Sequence, residues 1–384
     1  MNRLEDALRE TFDSDLTTTE PPSAPGVRAA VRRRRTTRAV VGATAAVTLG
    51  AVAAASLGLR DGDRTPAPTP SPTPAVTDAP GALASALALE SAGGALFATT
   101  DDAACGCSVL VRRDGDRWTR LHAFPVPYVD RLALTPDGRD GWAAADGRVW
   151  STHDGGSTWQ RVQLPSRADG DVTDSYLVAA SSSYAWLVNL ADDSLWRSPV
   201  GTDTFEQHGV PVETETSSMD TRVWDVRVIG DSVVADLAPT EEGEVTSAPK
   251  TADEKGIAWE DLPRPCAGDT RLLSSDDAVF VVCPDAGEPE ATVYRWRPGE
   301  RGFTGFSNAP LPPGADVVPL SADRVLVLGE QDRLLTEGAA VAADLPRGPD
   351  TSAWDAVVLD DRTYLATTDG LYESTDGGRS WRRI

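Results

Sequence analysis

GWAAADGRVWSTHDGGSTWQRV, residues 141 to 162, alternates small and apolar positions, turns through Asp and Gly, and then takes up a second short strand pattern. GLYESTDGGRSWRRI, residues 370 to 384, repeats the arrangement. Both contain one spacing: Thr152-x-Asp154-x-Gly156-x-Thr158-Trp159 and Ser374-x-Asp376-x-Gly378-x-Ser380-Trp381. An Asp side chain can accept hydrogen bonds from backbone N–H groups ahead of it, glycine tolerates a left-handed backbone, and a hydroxyl bonds locally, so each box is a tightly reversing hairpin. The tryptophan opens the returning strand and needs an apolar place to go. Thr152, Asp154, Gly156, Trp159, Ser374, Asp376, Gly378 and Trp381 are therefore read as architecture, not as a reaction centre.

Around the hairpins, residues from about 80 to 384 form many short Val, Leu, Ala and Trp runs separated by Gly, Pro, Asp and Ser turns, an all-β texture. Aligning degraded copies of the hairpin on their aromatic residue gives Trp118, Trp159, Phe205, Trp259, Phe303 and Trp381. These are 41, 46, 54, 44 and 78 residues apart, and the last interval holds two repeats, which puts a faded box near Val341. A period near 40 with several strands per unit fits a propeller blade better than a solenoid. Blade 2 reads as strands Arg131 to Leu134, Gly141 to Ala145, Arg148 to Ser151 and Trp159 to Leu164, and Thr240 to Lys250 reads as a surface loop inserted in blade 4. Whether an earlier strand helps complete blade 7 is open at this level.

The eight-residue pattern, with Gly141-Trp142-Ala143 and Asp146-Gly147 before it, resembles the Asp-box or BNR repeat of sialidases, sortilin-type receptors and photosystem II assembly-factor-like propellers. The resemblance implies a β-propeller with each box on the hairpin between the outer two strands of a blade, and it implies no shared activity. A sialidase would also need three arginines gripping a carboxylate, a tyrosine–glutamate pair and an acidic aspartate. The arginine-isoleucine-proline motif of that family is absent; Arg197-Ser198-Pro199 and Arg264-Pro265 are the nearest strings.

The formal net charge of −23 opposes nucleic-acid binding, which needs a basic face. His122, His153 and His208 lie in separate segments, no phosphate loop, zinc spacing or nucleophile elbow occurs, and Asp101-Asp102, Glu241-Glu242 and Asp276-Asp277 read as solvated turns without calcium-loop spacing. No catalytic residue, cofactor or metal is expected. The other tryptophans, Trp142, Trp150, Trp186, Trp196, Trp224, Trp296 and Trp354, read as packing residues.

The remaining organisation concerns location. Residues 1–38 carry a short amphipathic pattern at Leu4, Leu8 and Phe12 and end in Arg32, Arg33, Arg34, Arg35 and Arg38. Residues 39–59 then hold no charge, enough for a helix of roughly 30 Å, the depth of a bilayer core. With arginines before it and Asp61 and Asp63 after it, the positive-inside rule places the tail in the cytoplasm and the rest outside. Cleavage after Ala53-x-Ala55 is the competing reading. Residues 60–81 alternate proline with small residues, as a semi-rigid stalk does.

All four cysteines follow the apolar run. In an oxidising compartment Cys266 and Cys283 are expected to bond, closing a loop that contributes roughly 3 kcal/mol in the chain-entropy model. Cys105 and Cys107 could close a small ring that is easier to reduce, with a redox or metal role as the sharper alternative.

The sequence thus predicts an all-β fold, a seven-bladed β-propeller of four-stranded antiparallel blades over residues 82–384, preceded by one transmembrane helix. The expected role is a membrane-anchored extracytoplasmic binding or scaffolding module for an envelope protein, peptide or glycan. A sialidase-type exo-glycosidase is one alternative. Another is a signalling partner of a sigma-factor system, since the tail, arginines and single span weakly resemble the anchored regulators of such systems, without their zinc-ligand His and Cys.

Overall fold

A computed structural model describes residue 83 and residues 86–384, except 130, 165–175, 191–193, 209–220, 240–248, 257, 264, 267–270, 285–290, 308, 310, 313–314 and 349–350. The tail, the 39–59 run, the stalk and most of the predicted blade 4 insertion lie outside the described residues. Among the described residues every regular element is a strand, and no helix is long and apolar enough to cross a membrane.

Consecutive strands pair as antiparallel meanders into seven four-stranded sheets, spanning 88–124, 131–161, 176–208, 221–261, 271–307, 316–342 and 353–383. These are the blades of a β-propeller, numbered here 1 to 7. First strands pack on first strands of neighbouring blades, including Ala88–Ala92 of blade 1 on Ala353–Leu359 of blade 7, so they form the inner wall. Blade 7 is complete with its own four strands, and among the described residues no strand is exchanged between blades. In blade 2 the strands are Arg131–Leu134, Gly141–Ala145, Arg148–Thr152 and Gln160–Arg161; the last is shorter than predicted, because Trp159 leaves the ladder to plug the adjoining blade.

The alternation of strand direction gives the disc two chemically different faces. First-to-second and third-to-fourth connections share one face, which we term the turn face; it includes the two-residue turns 93–94, 230–231, 276–277, 322–323 and 360–361. Second-to-third and blade-to-blade connections share the opposite, loop face, including 103–106, 125–129, 146–147, 329–332 and 368–369. Both boxes lie on the turn face. Both disulfides, Cys105–Cys107 and Cys266–Cys283, lie on the loop face.

The core is divided among seven apolar clusters, one at each blade–blade seam. A middle strand buries both of its faces, so alternate residues serve opposite seams: Trp142 and Ala144 pack toward blade 3, Ala143 toward blade 1. Such strands read as continuous apolar runs, for example Ala278 to Val281, all at most 1 % exposed. Six seams contain the aromatic anchor of the following blade: Trp118, Trp159, Phe205, Trp259, Phe303 and Trp381. The seam between blades 5 and 6 differs. The faded box expected near Val341 is not there, since blade 6 turns over residues 337–338 and Val341 is 39 % exposed. The segment lacks the hydroxyl–Asp pair and the aromatic ring, and Phe280 and Phe306 fill that seam instead, edge to face at 5.3 Å.

Candidate functional site

The two boxes match bond for bond. Thr152 Oγ1 donates to Asp154 Oδ1 (2.9 Å) and accepts Gly156 N–H (3.0 Å), while Asp154 accepts the Thr158 N–H (2.8 Å) and hydroxyl (2.6 Å). Ser374 likewise donates to Asp376 (2.9 Å) and accepts Gly378 N–H (2.8 Å), and Asp376 takes the Ser380 N–H (2.9 Å) and hydroxyl (2.6 Å). Each indole N–H returns to the box glycine carbonyl at 3.0 Å. Burial alone would raise the Asp376 carboxyl, but the bonds from Ser380, Ser374 and Arg379 outweigh it and hold it down at about 2. Gly156 and Gly378 have φ of 85° and 96°, and a Cβ on Gly378 would stand 2.7 Å from Leu320 Cδ1. The hydroxyl, carboxylate and indole groups of each box are engaged within their own hairpin, which leaves these side chains a structural task.

The groups that converge without saturating one another lie on the inner wall. Glu90 belongs to the first strand of blade 1, Arg227 and Asp225 to that of blade 4, Asp355 to that of blade 7, and Asp276 to the first turn of blade 5. Blades 1 and 4 are not neighbours, yet Glu90 feels the Arg227 charge, as happens only across the central channel. The Asp355 carboxylate accepts Leu89 N–H at 2.9 Å, Ser91 Oγ reaches Asp276 at 3.5 Å, and Arg227 Nε donates to Asp225 at 3.0 Å.

These side chains touch solvent but are ringed by protein, so their charges are poorly hydrated. Burial first, then the charges of Asp276 and Asp355, push the Glu90 carboxyl well above its ordinary value. Asp276 is raised to about 6 by burial, Asp355 and Asp277. Asp355 is raised by burial, against the opposing pull of Leu89 N–H, Arg227 and Arg131. Arg227 is held charged chiefly by Asp225. Three carboxylates from three blades thus crowd a space with too little positive charge to balance them. Perturbed groups gathered in one concavity are the physical mark of a binding site. The Asp276-Asp277 pair is accordingly more than a solvated turn: Asp277 accepts Ala322 N–H (2.7 Å) and ties blade 5 to blade 6, while Asp276 faces this cluster.

Two further polar clusters occupy seams. Glu373, its side chain fully buried, receives Arg362 (2.8 Å), Arg382 (2.5 Å), the Tyr364 hydroxyl (3.3 Å) and a looser charge contact from Arg113 at 3.2 Å, across the seam of blades 7 and 1. Three arginines thus converge on one carboxylate, and the carboxylate is the chain's own. In the seam of blades 2 and 3, His153 Nδ1 lies 2.5 Å from Asp140 and Nε2 lies 3.4 Å from Asp203, which also accepts Ser151 Oγ at 2.8 Å.

Burial lowers the His153 pKa, but the bonds to Asp140 and Asp203 exceed it and the net shift is upward from 6.5. A raised folded pKa means stabilisation that is complete below the unfolded value and fades as pH climbs through the folded one. His153 is 38 % exposed, so solvent screening keeps the effect to about 1 kcal/mol or less. Melting temperature should therefore fall from pH 6 to pH 8 in the wild type, and the fall should shrink in His153→Gln; identical profiles would show that the His153 contacts with Asp140 and Asp203 contribute nothing.

Fold and channel together define a seven-bladed β-propeller with a charged, concave axis. No protein-family model and no curated protein matches the chain. Among solved structures, YCF48 bound to D1 peptide shares 17% identity over 66% of this chain and 79% of that one, with a TM-score of 0.45. YCF48 from Cyanidioschyzon merolae shares 18% over 66% of this chain and 84% of that one, also at 0.45. A prolyl endopeptidase structure shares 13% over 78% of this chain at a TM-score of 0.54, and the chain spans 49% of that protein's length. At these identities the likeness is one of fold.

Proposed function

We propose that this propeller is a binding module, held outside the membrane by the 39–59 segment, whose channel takes a positively charged segment of an envelope protein or peptide. The observation that carries the reading is the crowding of Glu90, Asp276 and Asp355 beside Arg227, with carboxyl groups pushed toward the neutral form. A lysine, arginine or amino-terminal charge entering there would relieve the repulsion, drive the carboxylates to ionise and complete their pairing. The uncharged 39–59 run with its preceding arginines supports the anchoring, and oxidised cysteines suit the outer compartment.

Fluorescence anisotropy with matched basic, neutral and acidic peptides tests the proposal. Basic peptides should bind in a salt-sensitive way, with affinity rising as pH increases through about 6, where Asp276 loses its proton. Glu90→Gln and Asp355→Asn should each weaken binding by about tenfold. Equal binding of acidic and basic peptides would defeat the reading. Turnover of a fluorogenic sialoside or glycoside panel would replace it with hydrolysis.

A further inference from the structure

We infer that the Cys105–Cys107 disulfide is a surface thiol–disulfide exchange site that oxidises dithiols. The site lies on the loop face and is independent of what the channel binds. Residues 103–106 are all exposed, so the outer sulfur, Cys105, is open to an attacking thiolate. Cys107 is the first residue of the strand Cys107–Asp114, 9 % exposed and packed with Leu83, Leu89 and Val109 in the cluster between blades 7 and 1. Only one sulfur of the bond is therefore reachable, and the direction of attack is fixed.

The ring closes over a single residue, Gly106, which holds φ of 61° with open space around it. The turn is nevertheless pinned: Asp102 Oδ1 accepts Ala104 N–H at 2.9 Å and Oδ2 accepts Arg120 at 3.0 Å. The Asp102 carboxylate and both sulfurs lie within 4.8 Å of one another. The pinned turn keeps the two cysteines neighbours after reduction, so the pair can close again.

In the first step one thiolate of the dithiol bonds to Cys105 Sγ, the Cys105–Cys107 bond breaks, and its electron pair passes to Cys107, which is protonated. In the second, the other thiolate attacks the substrate sulfur held on Cys105, and Cys105 leaves as a thiol. The dithiol becomes a disulfide, and its two electrons and two protons reside on Cys105 and Cys107. Cys266–Cys283 supplies an internal reference, because its cysteines are 17 positions apart and Cys283 is 2 % exposed.

The test equilibrates the purified full-length chain in glutathione buffers of graded ratio, quenches with acid, alkylates, and quantifies each cysteine by mass spectrometry, with circular dichroism reporting the fold. Cys105 and Cys107 should become half-reduced in a buffer at least tenfold more oxidising than the one that opens Cys266–Cys283. Gly106→Ala, which must hold the left-handed turn with a Cβ, should widen that gap by about fivefold. In Cys107→Ser, oxidised glutathione should form a stable adduct on Cys105. Opening of Cys266–Cys283 first or at the same ratio, or no adduct on Cys105, would overturn the inference.

Discussion

Glu373→Gln should lower the unfolding free energy by about 3–5 kcal/mol, the largest effect we expect from one substitution. Breaking a buried ion cluster by removing its buried anion leaves Arg113 only the exposed carboxylate of Asp116 at 3.3 Å, and that loss exceeds the worth of the cluster itself. The exposure of the partners decides the ranking. Arg113 is 5 % exposed and sits between the rings of Trp118 (5.8 Å) and Tyr364 (5.2 Å), so it cannot regain its hydration. Arg382 is 64 % exposed and can, so Arg382→Gln should change stability by less than about 1 kcal/mol. If Arg113→Met is added to Glu373→Leu, a substantial part of the loss should return, because an apolar pair replaces a charged one.

The same glutamate sets an acid limit. Burial raises its pKa, but the bonds from Arg362 and Arg382 and the Arg113 charge carry it below 4.5. A depressed folded pKa gives stabilisation that is present above the unfolded value and is lost as pH falls toward the folded one. Urea unfolding of the wild type should therefore weaken steeply below about pH 4.5, where Glu373→Gln should lose less. Equal midpoints for wild type and variant at pH 7 would show that the cluster contributes nothing.

Trp381→Ala should follow, at about 3–5 kcal/mol, as expected for removing a large ring from a filled site. Its indole is 6 % exposed among Leu320, Leu334, Leu345 and Tyr372, and the hairpin carrying it is fastened to the previous blade. Trp381 N–H bonds to Asp344 O (3.1 Å), and Asp344 N–H to Arg379 O (2.7 Å). Val341→Ala is the counterpart, an exposed side chain where the repeat would have placed an anchor, and it should shift stability by no more than about 0.5 kcal/mol. Comparable losses at the two positions, read as urea midpoints, would contradict the idea that anchors act by filling seams.

The contrast explains which parts of the fold were readable from the chain. Period and anchors were legible wherever an aromatic ring had to enter a seam, because few residues fill that volume. At blade 6 the job passes to Phe280 and Phe306, which sit on strands and carry no turn signature, so the repeat spacing points to Val341 instead. The channel cluster was harder to see. Successive members of the set Glu90, Arg227, Asp276 and Asp355 are 49 to 137 positions apart along the chain (276 − 227 and 227 − 90), and only ring closure brings them together. His153, Asp140 and Asp203 meet for the same reason, across a seam no local pattern encodes. Spacing reveals what a hairpin does for itself, and it is silent about what two blades do for each other.

Because each blade is woven from four successive strands and none among the described residues is lent to a neighbour, the ring is modular in the way a chain of identical links is. A whole blade could be duplicated, swapped or excised at the blade-to-blade loops without orphaning a strand. What limits such grafting is the match of one seam to the next, so lineages of this architecture should diversify by trading interfaces in pairs.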